Sequence, residues 1–200
     1  ARSETAEGLS VVLGAKRRRG DVALVSFGSV RARLWTTAGC VRQAVGGHGS
    51  PFRTMSLWNQ IEPLLARVQK PARYIGLEDG IGSPRHGDGK VAWLLAYPDT
   101  YEIGLPNQGL QILYEILNER DDAVAERTYA PWSDLDAELR AAGLPLFSVD
   151  THRSATDFDI LAFNLSAELV YTNVLNMIDL AGAPVRQAER GDDDLFVIIG

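Results

Sequence analysis

The sequence has 200 residues, of which 46% are hydrophobic and 23% are charged. This balance is typical of a globular protein with room for one domain of ordinary size. No apolar run approaches the length of about 18 residues that a membrane helix needs, and no basic segment followed by an apolar one begins the chain. The single cysteine, Cys40, excludes an internal disulfide and fits a reducing cytoplasm, where we expect the protein to be.

Charge is distributed unevenly along the chain, whose formal net charge is -6. Residues 1–54 contain nine Lys or Arg and three Asp or Glu, a net charge of +6, whereas residues 55–200 contain eleven and 23, a net charge of -12. Because nucleic-acid binding needs clustered cations, residues 55–200 are not expected to bind nucleic acid. We predict that residues 1–54 form a basic, disordered or irregular arm. Its Lys/Arg cluster at 16–19 suits a solvated arm, a targeting signal or a nucleic-acid contact.

Residues 55–90 are predicted to form an N-terminal helix followed by a turn-rich lead-in. Apolar residues recur at helical spacing between 57 and 68, with Pro63 inside the pattern, where it would kink the helix. Residues 74–76 are a candidate short strand, and the glycines and prolines between 80 and 89 predict turns. His86 lies among these turns, where we expect an exposed side chain rather than a metal ligand.

From residue 91 onward, apolar strand patterns alternate with helical patterns. The predicted strands lie at 91–97, 124–129, 146–149, 158–165 and 195–200, and the predicted helices at 108–119, 133–142 and 166–182. Ser133 and Ser166 are expected to cap two of these helices, and Gly143 to end one. Strands alternating with helices of about 10–15 residues are typical of βαβ units. We therefore predict an α/β domain at 91–200 with a flavodoxin-like, doubly wound parallel sheet.

Two loops follow strands of this predicted sheet and are candidates for a ligand site. Ligands of open α/β sheets bind outside the carboxyl ends of the strands. In the first loop, Asp99 and Glu102 lie three residues apart, which suits acid–base chemistry and equally suits turn and cap positions. In the second loop, Ser166 lies at a predicted helix N-terminus, which can receive a phosphate or amide group.

Motifs that define common enzyme classes are absent from the sequence. There is no nucleophile elbow, no Walker A motif, no dinucleotide-binding glycine motif and no H-E-x-x-H. Cys40 has no evident histidine partner, so it is not expected to act as a nucleophile. His152 follows a predicted strand and is expected to be a polar loop residue. The sequence therefore predicts no catalytic residues.

Three short stretches, in order along the chain, resemble the loops of cobalamin-binding domains. Residues 99–104 resemble the D-x-H-x-x-G loop of that family, with Tyr101 in place of the histidine. Residues 164–169 resemble the S-x-L loop after the third strand. Residues 195–200 resemble the fourth strand of that fold, which runs toward a G-G motif.

Two longer stretches are more specific. Residues 97–104 followed by 109–114, and residues 175–182, are similar to the N-terminal region of B12-binding-domain radical SAM proteins, and the whole resemblance covers residues 55–194. It implies a cobalamin domain that precedes a radical SAM barrel, whose three cysteines hold a 4Fe–4S cluster that cleaves S-adenosylmethionine. Those cysteines are absent from this sequence. The resemblance therefore implies an inactive fragment, truncated at its C-terminal end, whose partner is the barrel of the full-length protein.

The resemblance also implies where cobalamin would bind, namely against loops 98–107, 148–153 and 164–168. The cofactor-binding residues that it implies are Pro98, Asp99, Thr100, Tyr101, Glu102, Gly104, Asn107, Asn164, Leu165 and Ser166. Histidine ligates cobalt as a neutral imidazole, whereas tyrosine ligates only as a phenolate, which its ordinary pKa of about 10 disfavours. We predict that no metal ligand comes from the position of Tyr101.

Two other functions are compatible with the residues. A degenerate flavodoxin-like module that binds no cofactor, and packs against the barrel or another partner, fits the tyrosine at position 101 and the acidic composition. An independent mononucleotide- or flavin-binding protein is disfavoured, because the first loop lacks the Ser/Thr/Gly-rich cradle that holds a phosphate.

Overall fold

The computed structural model describes residues 10–13, 23–26, 56–78, 84–87 and 89–200. The first two of these ranges are short strands of which only the backbone is described. The prediction of an irregular arm at 1–54, and the prediction for Cys40, therefore fall almost entirely outside the described residues. Within the described ranges, no helix is long and apolar enough to cross a membrane.

Six strands form one sheet in the described part of the chain. They are β1 (Ser10–Leu13), β2 (Ala23–Ser26), β3 (Val91–Tyr97), β4 (Ala123–Tyr129), β5 (Ile160–Phe163) and β6 (Phe196–Ile199). Their spatial order is β2-β1-β6-β5-β3-β4. Strands β3 to β6 are parallel, which confirms the predicted parallel sheet. Strands β1 and β2 are antiparallel, and Val12 of β1 pairs with Ile199 of β6.

The parallel strands follow the flavodoxin-like order. Numbered along the chain, β3 to β6 are arranged 2-1-3-4, so β3 and β5 are neighbours although β4 lies between them in the sequence. The helices that accompany them are α1 (Trp58–Leu65), α2 (Tyr101–Gly104), α3 (Gln108–Asn118), α4 (Ser133–Ala142) and α5 (Tyr171–Leu180). The point where strand order reverses, which is where such sheets bind ligands, lies between the carboxyl ends of β3 and β5.

Helices cover both faces of the sheet. Leu94 of β3 belongs to a core that α1, α4 and α5 share. The next residue, Leu95, points to the opposite face and packs with Leu110 and Leu117 of α3. Because the central strands are buried on both faces, their sequences are continuous apolar runs, which is why the sequence predicts them well. The doubly wound α/β architecture is confirmed.

Strand β4 differs from the others because it contains charged residues and lies at the edge of the sheet. Glu126 and Arg127 are 0% and 2% exposed and, as consecutive strand residues, point to opposite faces. The segment 147–151 runs along the outer edge of β4, where the Val149 amide donates to the Arg127 carbonyl at 2.8 Å. This segment covers the edge hydrogen-bonding groups that would otherwise be open to another chain.

Three local predictions in this region are wrong, and one is confirmed. Residues 74–76 are not a strand, because Pro71–Tyr74 form a 3₁₀ turn, a start that proline favours. Residues 146–149 contribute a single isolated bridge instead of a strand. Ser133 is the first residue of α4 rather than its cap. Gly143 ends α4 in the left-handed conformation, as predicted, with φ of 65°.

Helix α5 begins five residues later than predicted. The hydroxyl of Ser166 does not cap a helix but donates to Asn164 Oδ1 at 3.0 Å. A 3₁₀ turn, Glu168–Val170, precedes α5. Leu169, an apolar residue of the predicted helix, is 93% exposed on this turn. The hydrogen bond between Ser166 and Asn164 therefore holds Ser166 at the end of β5, and the helical periodicity of the sequence does not show where α5 begins.

Candidate functional site

The loops that follow β3 and β5 meet at the switch point of the sheet. The first leads through α2 to Asn107, and the second begins at Asn164. Asn164 Nδ2 donates a hydrogen bond to Asn107 Oδ1 at 3.3 Å. Two of the three predicted ligand loops are therefore adjacent, and we call the region between residues 98–107 and residues 164–166 the crevice.

Helix α3 begins beside the crevice. Asn107 is its N-cap, and its side-chain oxygen accepts a hydrogen bond from the Leu110 amide at 2.9 Å. A Cβ atom on Gly109 would lie 3.0 Å from Asn164 Nδ2 and 3.3 Å from Asn107 Oδ1. Glycine at position 109 therefore allows the first turn of α3 to approach the loop after β5.

The start of the first loop is fixed by its neighbours. Asn173 of α5 donates from Nδ2 to the carbonyl oxygen of Pro98 at 2.9 Å. The Ala130 amide, after β4, donates to the Asp99 carbonyl at 2.9 Å. The Asp99 carboxylate accepts from the adjacent Thr100 amide at 2.7 Å. Asp99 thus has the contacts of a turn residue, one of its two predicted roles.

Glu102 lies on the exposed side of α2 and pairs with two cations. Its carboxylate accepts from Arg73 Nε at 2.9 Å and from Lys70 Nζ at 3.2 Å. Burial raises the pKa of Glu102, but hydrogen bonds from its own backbone amide, Arg73 and Lys70 outweigh that effect and lower it to about 2. A carboxylate with so low a pKa is a poor general base at neutral pH. The contacts of Glu102 therefore favour an ion pair over acid–base chemistry.

Tyr101 lies on the inner side of α2. Its hydroxyl donates to Glu78 Oε1 at 2.5 Å, and its ring packs edge-to-face on Tyr129 with centroids 5.3 Å apart. Burial, together with the hydrogen bond and charge of Glu78, raises the pKa of Tyr101. Tyr101, where the sequence resemblance led us to expect a histidine, is thus a neutral phenol that donates to a carboxylate outside the crevice.

A buried charged cluster continues from Glu78 into β4. Arg127 Nη2 donates to Glu78 Oε2 at 2.9 Å and to Asp150 Oδ1 at 2.6 Å, and its guanidinium lies 5.1 Å from the centroid of the Tyr114 ring. Burial lowers the pKa of Arg127, but Asp150 and Glu78 outweigh that effect and raise it. The guanidinium therefore stays charged.

The position of Asp150 also locates the third predicted ligand loop. The Arg127 backbone amide donates to Asp150 Oδ2 at 2.6 Å, so residues 148–153 lie beside the outer edge of β4. Strand β3 separates β4 from β5 and from the loop that follows β5. The structure thus brings together loops 98–107 and 164–166, and places loop 148–153 elsewhere.

His86 is not the exposed turn residue that the sequence predicts. Its Nε2 atom pairs with the buried Glu126 carboxylate, and its ring packs edge-to-face against Phe158. Thr151 also donates its hydroxyl to Glu126, at 2.8 Å. The sequence signals the pairing of His86 with Glu126 only through two charged residues, Glu126 and Arg127, inside an otherwise apolar strand pattern.

His152 lies in the loop beside β4 and has a structural role. It has a positive φ of 58°, and its Nε2 atom lies 2.9 Å from the Tyr74 carbonyl oxygen. Its burial lowers its pKa, which favours the neutral ring. Within the described ranges, no group of three or more His, Cys, Asp or Glu side chains is arranged to hold a metal ion.

Gly104, one of the predicted site residues, packs α2 onto two aromatic rings. A Cβ atom at this position would lie 2.5 Å from Tyr129 Cδ1 and 2.9 Å from Tyr97 Cδ1. We expect Gly104→Ala to lower the free energy of unfolding by about 1–3 kcal/mol, because a ring or α2 must move. Urea denaturation would measure this change. Gly87→Ala is the control, since nothing lies within 4 Å of its Cβ position, and an equal loss in both variants would contradict the packing explanation.

Comparison with known protein families gives a match to the second half of the chain. Residues 109–200, a little under half of the sequence, match a family model described as "Radical SAM proteins, N-terminal". This region resembles the N-terminal part of radical SAM proteins. The match includes the loop after β5, but it begins after the loop that follows β3, so it does not extend to Tyr101. Searches of curated proteins and of solved structures found no match.

Proposed function

We propose that residues 56–200 are the N-terminal module of a radical SAM enzyme and that this module holds a ligand in the crevice. The observation that carries the proposal is the adjacency of Asn107 and Asn164 at the switch point, in a chain whose residues 109–200 match the radical SAM model. Switch points are where open α/β sheets bind ligands. The amide and hydroxyl groups of Asn107, Asn164 and Ser166 suit a polar ligand.

The proposed module binds and does not carry out the radical chemistry. A radical SAM enzyme cleaves S-adenosylmethionine at an iron–sulfur cluster held by three cysteines, and this sequence contains one cysteine, Cys40. The cluster and S-adenosylmethionine would therefore be held by another part of the full-length protein. This chain's own contribution would be to position a ligand beside that part.

Cobalamin is the cofactor that the sequence resemblance implies, but the residues do not fit a corrin whose cobalt is ligated from the first loop. The Tyr101 hydroxyl donates to Glu78, and the raised pKa of the phenol opposes the phenolate that could bind cobalt. The further proposal is that any corrin in the crevice is held through its periphery, with no cobalt ligand from residues 98–107.

This proposal can be tested by adding hydroxocobalamin to the 200-residue chain and recording the absorption spectrum of the protein fraction after gel filtration. We expect cobalamin to be retained, with a spectrum free of histidine ligation. Asn164→Ala should weaken retention about tenfold, because it removes one amide of the crevice. Asn59→Ala, on the exposed surface of α1, is the matched control and should have no effect. A spectrum that shows a phenolate ligand and that changes in Tyr101→Phe would contradict the ligation proposal.

A second candidate function is an interaction module that binds no cofactor. Exposed apolar side chains support it, because several follow strands on the same side of the sheet as the crevice. Ile103 is 55% exposed after β3, Trp132 is 47% exposed after β4, and Leu169 is 93% exposed after β5. Such side chains suit docking of the barrel of the same enzyme. No retention of hydroxocobalamin by the unaltered chain would favour this function over cofactor binding.

A further inference from the structure

Residues 70–78, which we call the brace, contact α2 on both of its sides. On the exposed side, Lys70 and Arg73 donate to Glu102. On the inner side, Glu78 accepts the hydroxyl proton of Tyr101 in a hydrogen bond of 2.5 Å. Helix α2, which lies within the loop at 98–107, is therefore held between the two ends of the brace.

The inner contact has a buried support. Glu78 uses its second oxygen to accept from Arg127 at 2.9 Å, and Asp150 in turn holds Arg127 at 2.6 Å. The side chains of Arg127 and Asp150 are 2% and 3% exposed, so this support lies in the interior. The outer contact is more exposed, because the Lys70 and Glu102 side chains are 62% and 42% exposed and only Arg73, at 13%, is mostly buried. Exposed ion pairs contribute little to stability, whereas a charged hydrogen bond with a buried support contributes more.

We propose that Tyr101 is a positioning residue whose hydroxyl, through Glu78, fixes the loop at 98–107 on the buried Arg127 and so sets where Asn107 stands in the crevice. Two hydrogen bonds in series, from the Tyr101 hydroxyl to Glu78 and from Arg127 to Glu78, link Tyr101 to β4. One short turn links Tyr101 to Asn107. The inference concerns the shape of the crevice and goes beyond the proposed function, because it holds whichever ligand the crevice binds. It also explains how a tyrosine can occupy the family's histidine position without acting as a ligand.

The first test is hydrogen–deuterium exchange of the 200-residue chain with Tyr101→Phe. Phenylalanine keeps the ring against Tyr129 and removes only the hydroxyl. We expect the amides of residues 103–105, which bond within α2, to exchange about tenfold faster, as the loss of a hydrogen bond to a charged group predicts. The matched control is Tyr171→Phe, at an exposed tyrosine of α5, and it should leave exchange at 98–107 unchanged.

The second test distinguishes positioning from simple packing. Glu78→Gln retains the Tyr101 ring and hydroxyl but removes the carboxylate charge. NMR of tyrosine labelled with ¹³C at Cζ should show the ionisation of Tyr101 moving down toward its ordinary pKa of about 10. Packing alone would not move this signal. In the double variant with Tyr101→Phe, exchange at 103–105 should match the Tyr101→Phe single variant, because one contact is removed in both.

Either of two results would overturn the proposal. One is exchange at 98–107 that stays within twofold of the unaltered chain in both Tyr101→Phe and Glu78→Gln. The other is a double variant whose effects are the sum of the single ones, which would mean that the two side chains act independently. Neither readout involves cobalamin, so failure here and failure of the proposed cofactor function are separate outcomes.

Discussion

Replacing Arg127 with methionine is expected to lower the free energy of unfolding by about 3–5 kcal/mol. Methionine retains part of the aliphatic stem and removes the guanidinium. The change leaves the carboxylates of Glu78 and Asp150 without their cation, and the Asp150 side chain is only 3% exposed. An unpaired charge in such a position is costly because no water replaces the lost partner. Guanidinium denaturation of the 200-residue chain, followed by circular dichroism, would measure the loss.

The same substitution at a surface arginine provides the control for Arg127→Met. Arg120 donates to Asp122 at 2.7 Å, but these side chains are 24% and 38% exposed. Arg120→Met should therefore cost less than about 1 kcal/mol. Adding Asp150→Asn to Arg127→Met should recover part of the loss, because it removes the stranded charge. Similar losses at Arg127 and Arg120 would mean that the buried cluster does not stabilise the fold.

Much of the fold could be predicted from the sequence because burial leaves a strong pattern. The runs at 91–97 and 158–165 are apolar on both faces, which is the pattern of a strand inside a parallel sheet. Their alternation with amphipathic helices indicates the doubly wound class. The spatial order of the strands is a different matter. It depends on which apolar faces pack together, so the alternation predicts the flavodoxin-like class without fixing the neighbour of each strand.

The candidate site could be predicted in part. The loops at 98–107 and 164–166 follow strands, and the strand order makes them neighbours, as expected. Hydrogen bonds between distant residues decided the details, and the sequence carries no periodic signal for these. Ser166 bonds to Asn164 instead of capping a helix. The Tyr101 hydroxyl donates to Glu78, which lies 23 positions earlier, between the predicted strand at 74–76 and the predicted turns at 80–89.

The edge strand connects these observations. Charged residues weaken the strand pattern of β4, yet Glu126 and Arg127 bring two other segments to its edge. Glu126 binds the segment of His86, and Arg127 binds the brace through Glu78. Both also contact residues 150–151, which lie along the same edge. Arg127, one of the two charged residues that interrupt the apolar pattern of β4, therefore attaches the brace, and through it α2, to the sheet.

The brace also depends on Gly76, and Gly76→Ala is expected to lower the free energy of unfolding by about 2–4 kcal/mol. Gly76 has φ of 55°, a left-handed conformation that costs an L-residue about 1–2 kcal/mol. In addition, a Cβ atom would lie 1.9 Å from the carbonyl oxygen of Val149, in the segment that covers β4. This oxygen belongs to the backbone, so the brace itself must move. Urea denaturation would measure the loss.

Gly143→Ala separates the two causes of this loss. Gly143 has a similar φ of 65°, but nothing lies within 4 Å of its Cβ position, so alanine there should cost only the conformational part, about 1–2 kcal/mol. The excess at Gly76 measures the contact with Val149. Because the brace holds Tyr101, Gly76→Ala should also speed hydrogen exchange at 103–105, whereas Gly143→Ala should not. An equal loss at the two glycines, with exchange at 103–105 unchanged in both, would mean that the brace does not control the crevice loop.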